Sequence, residues 1–171
     1  YPELLKANMP NLNDDNFVSP YLDLNTKAHV AKVVAKALKK YGITAKQVAD
    51  VLNKAYTAQM KYKKQVREKA QEIIDKARAQ GKKIIVLAGR PYHIDPEINH
   101  GIHKLITSLG FAVVTEDSVA ELVDCPPLDV LNQWTFHSRM YRAAEYVCRN
   151  DDTQLVQLVS FGCGIDAITT D

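Results

Sequence analysis

The spacing of apolar positions changes twice along the chain and divides it into helical and strand-like stretches. From Thr26 the run KAHVAKVVAKALKKYG places Val30, Val33, Val34, Ala37, Leu38 and Tyr41 on one face at helical spacing, and Gly42 ends it. Thr44 and Gln47 then form a capping-box pair that opens a longer pattern reaching Gln80. Its apolar stripe holds Val48, Val51, Leu52, Ala55, Gln59, Tyr62, Val66, Ala70, Ile73, Ile74 and Ala77, and Gly81 closes it. An unbroken helix of about 36 residues spans ~54 Å. Part of it must therefore project, bend or pack on something else.

After Gly81 the period shortens. Strands are predicted near 84–88, 111–115 and 155–160, the first a continuous β-branched run of the kind buried on both faces. Asp95 before Pro96 reads as an N-cap followed by a first-turn proline, which predicts a helix over 96–109 stopped by Gly110; a second is predicted over about 128–148. The order β-α-β-α-β implies right-handed crossovers and a parallel sheet covered on both faces. The fold class is thus α/β, a flavodoxin-like or Rossmann-like three-layer half-domain preceded by a long basic helical region. Residues 1–24, with three prolines and the cluster NLNDDN, predict a short amphipathic turn from Glu3 to Asn8 and then a linker from a preceding subdomain. The expected divisions are 1–24, 25–81 and 82–171.

Composition adds three constraints. The 171 residues are 46% hydrophobic, enough for a core, and no run of eighteen apolar residues or signal-peptide pattern is present. A cytoplasmic protein without a membrane span is expected. Cys125, Cys148 and Cys163 are few, odd in number and far apart, which argues against a disulfide framework. The missing initiator Met, and an end at Asp171 just after a strand-like run with no helix to follow, read as a piece of a longer protein. Charge is segregated: residues 27–83 carry sixteen Lys/Arg against four Asp/Glu, or +12, whereas 84–171 carry five against twelve, or −7.

In a sheet of order 2-1-3 the loop after the first strand, 89–93, faces the loop after the third, 161–164, and both contain glycine. Arg90 there either holds a phosphate or carboxylate in a bidentate fork or pairs with Asp95 or Glu97 to fix its loop. His93 and His100 lie seven apart, and His100 and His103 three apart on the predicted helix, but no Cys or acidic partner at suggestive spacing completes a metal set. These histidines read first as structural or solvent-facing, and so does His137 on the later helix, where Arg139 is a candidate second anion contact. Cys163, between two glycines at a strand end, is open to a ligand in a way a core cysteine is not, although a small buried hydrophobe is the ordinary role of cysteine. Cys125 and Cys148 read as structural. The lysine-rich helices lack the interleaved aromatics of a nucleic-acid platform, and neither GxxxxGK[ST] nor GxGxxG occurs. No nucleic-acid partner is expected.

Four blocks, LAGRPYHIDPEINHGI (87–102), TEDSV (115–119), QWTFHSRMYRAAEYV (133–147) and LVQLVSFGCGIDAITTD (155–171), together with the opening YPELLKANM, carry a family resemblance. They resemble the dehydratase-like region of the large bacterial CoA-substrate-specific enzyme activase proteins, related to 2-hydroxyacyl-CoA dehydratase subunits such as 2-hydroxyglutaryl-CoA dehydratase. The resemblance implies a multidomain protein of anaerobic metabolism in which an iron-sulfur cluster of the 4Fe-4S kind and an ATP-driven activase module support radical dehydration of a 2-hydroxyacyl-CoA. It implies Cys163 as one metal and cofactor ligand, and Arg90, Tyr92, His93, His137 and Arg139 as residues around the acyl-CoA substrate. The implied partners are the ATP-binding activase module of the same chain and the other dehydratase-like subdomain. One thiolate falls short of the roughly four ligands of a cubane, so no cluster is expected in the isolated piece. The alternative is a non-catalytic docking domain or a CoA/phosphate-binding scaffold.

Overall fold

The structure, a computed structural model, describes residues 1–13, 15–128, 132, 134–160 and 162–169. Asp14 of the predicted linker, residues 129–131 and 133 of the predicted second α/β helix, Phe161 of the third loop, and residues 170 and 171 fall outside them. The chain divides into two compact units, Tyr1–Lys61 and Tyr62–Asp171.

The first unit is helical. α1 (Pro2–Asn8) starts on a proline, whose missing N–H costs nothing in a first turn. α2 (Lys27–Leu38) tightens into a 3-10 turn, Lys39–Tyr41, and stops at Gly42, whose φ of 76° suits a residue without Cβ. The capping box then forms as the sequence requires: the Gln47 N–H donates to Thr44 Oγ1 at 3.3 Å, and the Thr44 N–H donates to Gln47 Oε1 at 2.9 Å. It opens α3 (Ala45–Ala79), a continuous helix of 35 residues that begins in the first unit and ends in the second. Val48 near its start is buried, but Val51, Ala55, Gln59 and Tyr62 along the middle of its stripe are exposed.

The second unit is the predicted α/β half-domain. β1 (Ile84–Ala88), β2 (Ala112–Thr115) and β3 (Thr153–Gln157) form a parallel sheet in the order β2-β1-β3, with Ile84 level with Ala112 on one side and Thr153 on the other. All five β1 residues are buried, and the two-residue period of the strand sends them to opposite faces. Ile84 and Val86 pack with Ala70, Ile74 and Ala77 of α3 and with Ala143 and Tyr146 of α6 (Thr135–Cys148). Ile85 and Leu87 pack with Ile106 of α4 (Ile102–Ser108). Arg78 joins the end of α3 to the start of β3 through Asp152, Nε to Oδ2 at 2.7 Å, and through Asn150, Nη2 to Oδ1 at 2.9 Å.

Several boundaries differ from the sequence expectation. β3 lies two residues earlier at its start, because Thr153 is fully buried and its hydroxyl bonds the Asn150 carbonyl at 2.7 Å, a polar anchor that an apolar run does not reveal. At 96–109 the cap forms without the helix. Asp95 Oδ1 accepts the Glu97 and Ile98 N–H groups at 2.9 and 3.3 Å, and the Asn99 N–H closes one turn on the Asp95 carbonyl. The Asn99 side chain then accepts the Gly101 N–H at 2.9 Å, and His100 and Gly101 take left-handed φ values of 51° and 76°, so α4 begins only at Ile102. His100 and His103 therefore do not share a helix face. α5 (Glu116–Val119), continued by a 3-10 turn, was not predicted. α7 (Gly164–Thr169) corrects the expectation that no helix follows the last strand.

Candidate active-site cleft

The facing loops predicted from the strand order do meet. Beyond β1 the chain passes Gly89, where a Cβ would stand 2.7 Å from His93 Nδ1, so only glycine lets the loop fold back this closely. His93 Nδ1 accepts the Arg90 N–H at 3.0 Å, closing the 3-10 turn Pro91–Ile94. This fixes the Arg90 backbone while its side chain reaches across to the segment after β3. Arg90 Nη2 donates to Cys163 Sγ at 2.7 Å and to Asp166 Oδ1 at 2.9 Å. Asp166 is held in turn by the Ser160 N–H, which donates to Oδ2 at 2.8 Å, and Tyr92 Oη lies 2.5 Å from Ser160 Oγ. Two independent polar contacts thus tie the β1 loop to the β3 loop.

The cleft over this contact has a volume of about 650 Å³ and is lined by Arg90, Pro91, Tyr92, Trp134, Thr135, Phe136, His137, Cys163 and Ile165. That size is within the range of small-molecule sites, and the walls are mostly apolar with a few polar groups. α6 contributes Thr135, Phe136 and His137 from its first turn. His137 is buried; its Nε2 stands 3.5 Å from Asp166 Oδ1, and its Nδ1 has no hydrogen-bond partner among the described residues. Arg90 Nε is likewise buried without one among them.

The electrostatics of the cleft turn on Asp166. Burial pushes its carboxyl up, but the Ser160 N–H and the Arg90 guanidinium outweigh burial and hold it below the usual carboxylate range. Arg90 is raised, first by its hydrogen bond to Asp166. His93 is lowered by burial and by the charge of Arg90, against the opposing pull of Asp166, which favours a neutral ring in the loop. Outside the cleft, burial raises Glu116 despite the Arg139 guanidinium paired with it.

Of the residues nominated from the sequence, Arg90, Tyr92, His137 and Cys163 line one cleft. His93 lies beneath it as a buried brace. Arg139 is not in the lining: its guanidinium pairs with buried Glu116 and stacks 5.1 Å over the Phe136 ring. The alternative pairing of Arg90 with Asp95 or Glu97 is replaced by Asp166. His103 Nδ1 meets Asn99 Oδ1 at 3.2 Å, Cys125 Sγ accepts from Asn132 at 3.3 Å, and Cys148 is exposed at the end of α6. None of these lines the cleft. Sequence reasoning missed Asp166, Trp134 and Phe136. The available signal was spacing: Asp166 follows Cys163 by three residues, one turn of a short helix, and so returns to the same side.

Among the described residues no three His, Cys, Asp or Glu side chains are grouped to hold a metal ion. Cys163 fits as one thiolate, and the residues described do not make up a cluster site by themselves. No helix among the described residues is long and apolar enough to cross a membrane.

Fold and cleft together define an α/β domain with a cleft at the carboxyl ends of parallel strands, where loops of neighbouring strands converge. The family model described as CoA enzyme activase uncharacterised domain (DUF2229) matches residues 1–119. The chain belongs to this family. The match contains β1 and the Arg90 loop and ends before α6 and Cys163, so the cleft draws on residues inside and outside the matched part. No curated protein and no solved structure matches the chain.

Proposed function

We propose that this CoA enzyme activase-related chain works within a longer 2-hydroxyacyl-CoA dehydratase/activase-type protein and supplies one wall of its iron-sulfur and acyl-CoA site. The observation that carries the reading is the contact between Arg90 and Cys163: a thiol just before α7, lining a cleft, with a cation on its sulfur. Cys163 donates one thiolate to a cluster whose other ligands come from outside these residues. Such a cluster, when bound, supplies one-electron chemistry. Arg90 holds the thiolate side of the site, Tyr92 pins the two loops through Ser160, and His93 braces the turn that aims Arg90. His137 faces the substrate. The ATP-binding activase module and the other dehydratase-like subdomain are the partners.

The competing phosphate-scaffold reading requires Arg90 to take a CoA phosphate. Its guanidinium is already balanced by Asp166, whose side chain is 3% exposed. An incoming phosphate that drew Arg90 away would take the counter-charge from a buried carboxylate.

The test is anaerobic reconstitution of the longer protein with iron and sulfide, comparing Cys163→Ala with Cys125→Ala and Cys148→Ala. Iron content and the visible spectrum should fall for Cys163→Ala alone. An unchanged cluster in Cys163→Ala removes the ligand assignment.

A further inference from the structure

We infer that the cleft selects an uncharged, largely apolar acyl group and rejects one ending in a carboxylate, with Trp134, Phe136 and the Arg90–Asp166 pair as its specificity determinants. The inference rests on the acyl-CoA reading above and narrows it.

The walls state the first half. Trp134, Phe136, Pro91, Tyr92 and Ile165 present aromatic and aliphatic surface to about 650 Å³ of space, which favours a group that removes apolar area from water. The Arg139 guanidinium stacks over the Phe136 ring at 5.1 Å.

Charge states the second half. Two arginines stand near the cleft, and each is matched to a buried carboxylate: Arg90 to Asp166 and Arg139 to Glu116, with side chains 3% and 2% exposed. Neither leaves a net positive charge for an external carboxylate. Turning either arginine to a ligand would take the counter-charge from a buried acid, which costs energy. With both arginines neutralised, a second carboxylate would enter a mostly apolar cleft without a counter-charge, whereas an uncharged acyl group meets no such cost.

Trp134 is the single tryptophan of the chain, so its emission reports the cleft directly. Titrating the full chain with S-hexanoyl-N-acetylcysteamine and with S-glutaryl-N-acetylcysteamine separates acyl preference from any nucleotide contact. The hexanoyl thioester should shift Trp134 emission saturably, at a concentration at least tenfold lower than the glutaryl thioester. Phe136→Ala should weaken the hexanoyl response severalfold. Asp166→Asn, which frees the Arg90 charge, should bring the glutaryl thioester to parity or better. Glutaryl binding as tight as hexanoyl in the unaltered chain, or no saturable shift with either, overturns the inference, whatever the folding of the variants. The cluster assignment is decided separately, by iron content in Cys163→Ala, so the failure of one is distinguishable from the failure of the other.

Discussion

The two compact units are built on different physics. Within the helical unit the buried apolar side chains among the described residues are Val30 and Val48, and order comes from a proline start, a left-handed glycine stop and a capping box, with exposed polar ties such as Tyr56 Oη to the Leu24 carbonyl at 3.2 Å. Within the α/β unit β1 is buried along its whole length and two apolar clusters cover its faces. A helix held by local rules needs few tertiary contacts to be legible but gains little stability from them. The sheet gains most of its stability from burial, and it is the rigid part that can hold side chains from separate loops at hydrogen-bond distance. That is why the cleft residues belong to the second unit.

The contrast sets an order of expected effects. Ile74→Ala, which empties a fully buried position against β1, should cost ~2–5 kcal/mol, read as a lower urea midpoint for the α/β unit. A cost no larger than that of an exposed substitution would break the comparison.

A smaller effect belongs to the tie between α3 and β3. The Arg78 hydrogen bond holds the Asp152 carboxyl below the usual range, even though partial burial pushes the other way. The folded state therefore takes up this proton less readily than the unfolded chain. The stabilisation is complete above about pH 4 and is lost as pH falls through the lower folded value. Asp152→Asn should lower stability at neutral pH and flatten the acid limb of the stability curve, measured by urea unfolding between pH 7 and pH 3. An acid limb of unchanged slope would show that the tie contributes nothing.

The smallest effect is in the helical unit. Thr44→Ala removes the hydroxyl of the capping box and should cost ~1 kcal/mol, seen as faster amide exchange in the first turns of α3 with no change near β1. Protection lost equally in both units would mean that they are not separate in their stability.

How much of this the sequence disclosed follows the same division. Periodicity and apolar runs placed α2, α3 and all three strands, and the meeting of the two glycine loops followed from the order 2-1-3 of a flavodoxin-like half, which the sheet has. Fine punctuation was less legible. Asp95 and Pro96 do form the predicted cap, but Asn99 diverts the next amide, and only the folded backbone shows His100 and Gly101 crossing to positive φ. The cleft was half legible. Arg90 and Cys163 stand out because they sit beside glycines after predicted strands, whereas Asp166 lies on a helix that was not expected there, and Trp134 and Phe136 look like ordinary helix-start hydrophobes. Arg139 could not be excluded from sequence, because its partner Glu116 is 23 residues away in a short helix that no periodicity announces.

The cleft depends on the Arg90–Asp166 pair, which ties the β1 loop to α7 and cancels the charge there. A double-mutant cycle of Arg90→Gln and Asp166→Asn, read by urea unfolding of the full chain, tests it most directly. If the pair is formed as described, the double variant should be less destabilised than the two single losses added together, by ~1–3 kcal/mol. Losses that add to within ~0.5 kcal/mol would contradict it and would leave Arg90 without the partner on which both the site and its selectivity depend.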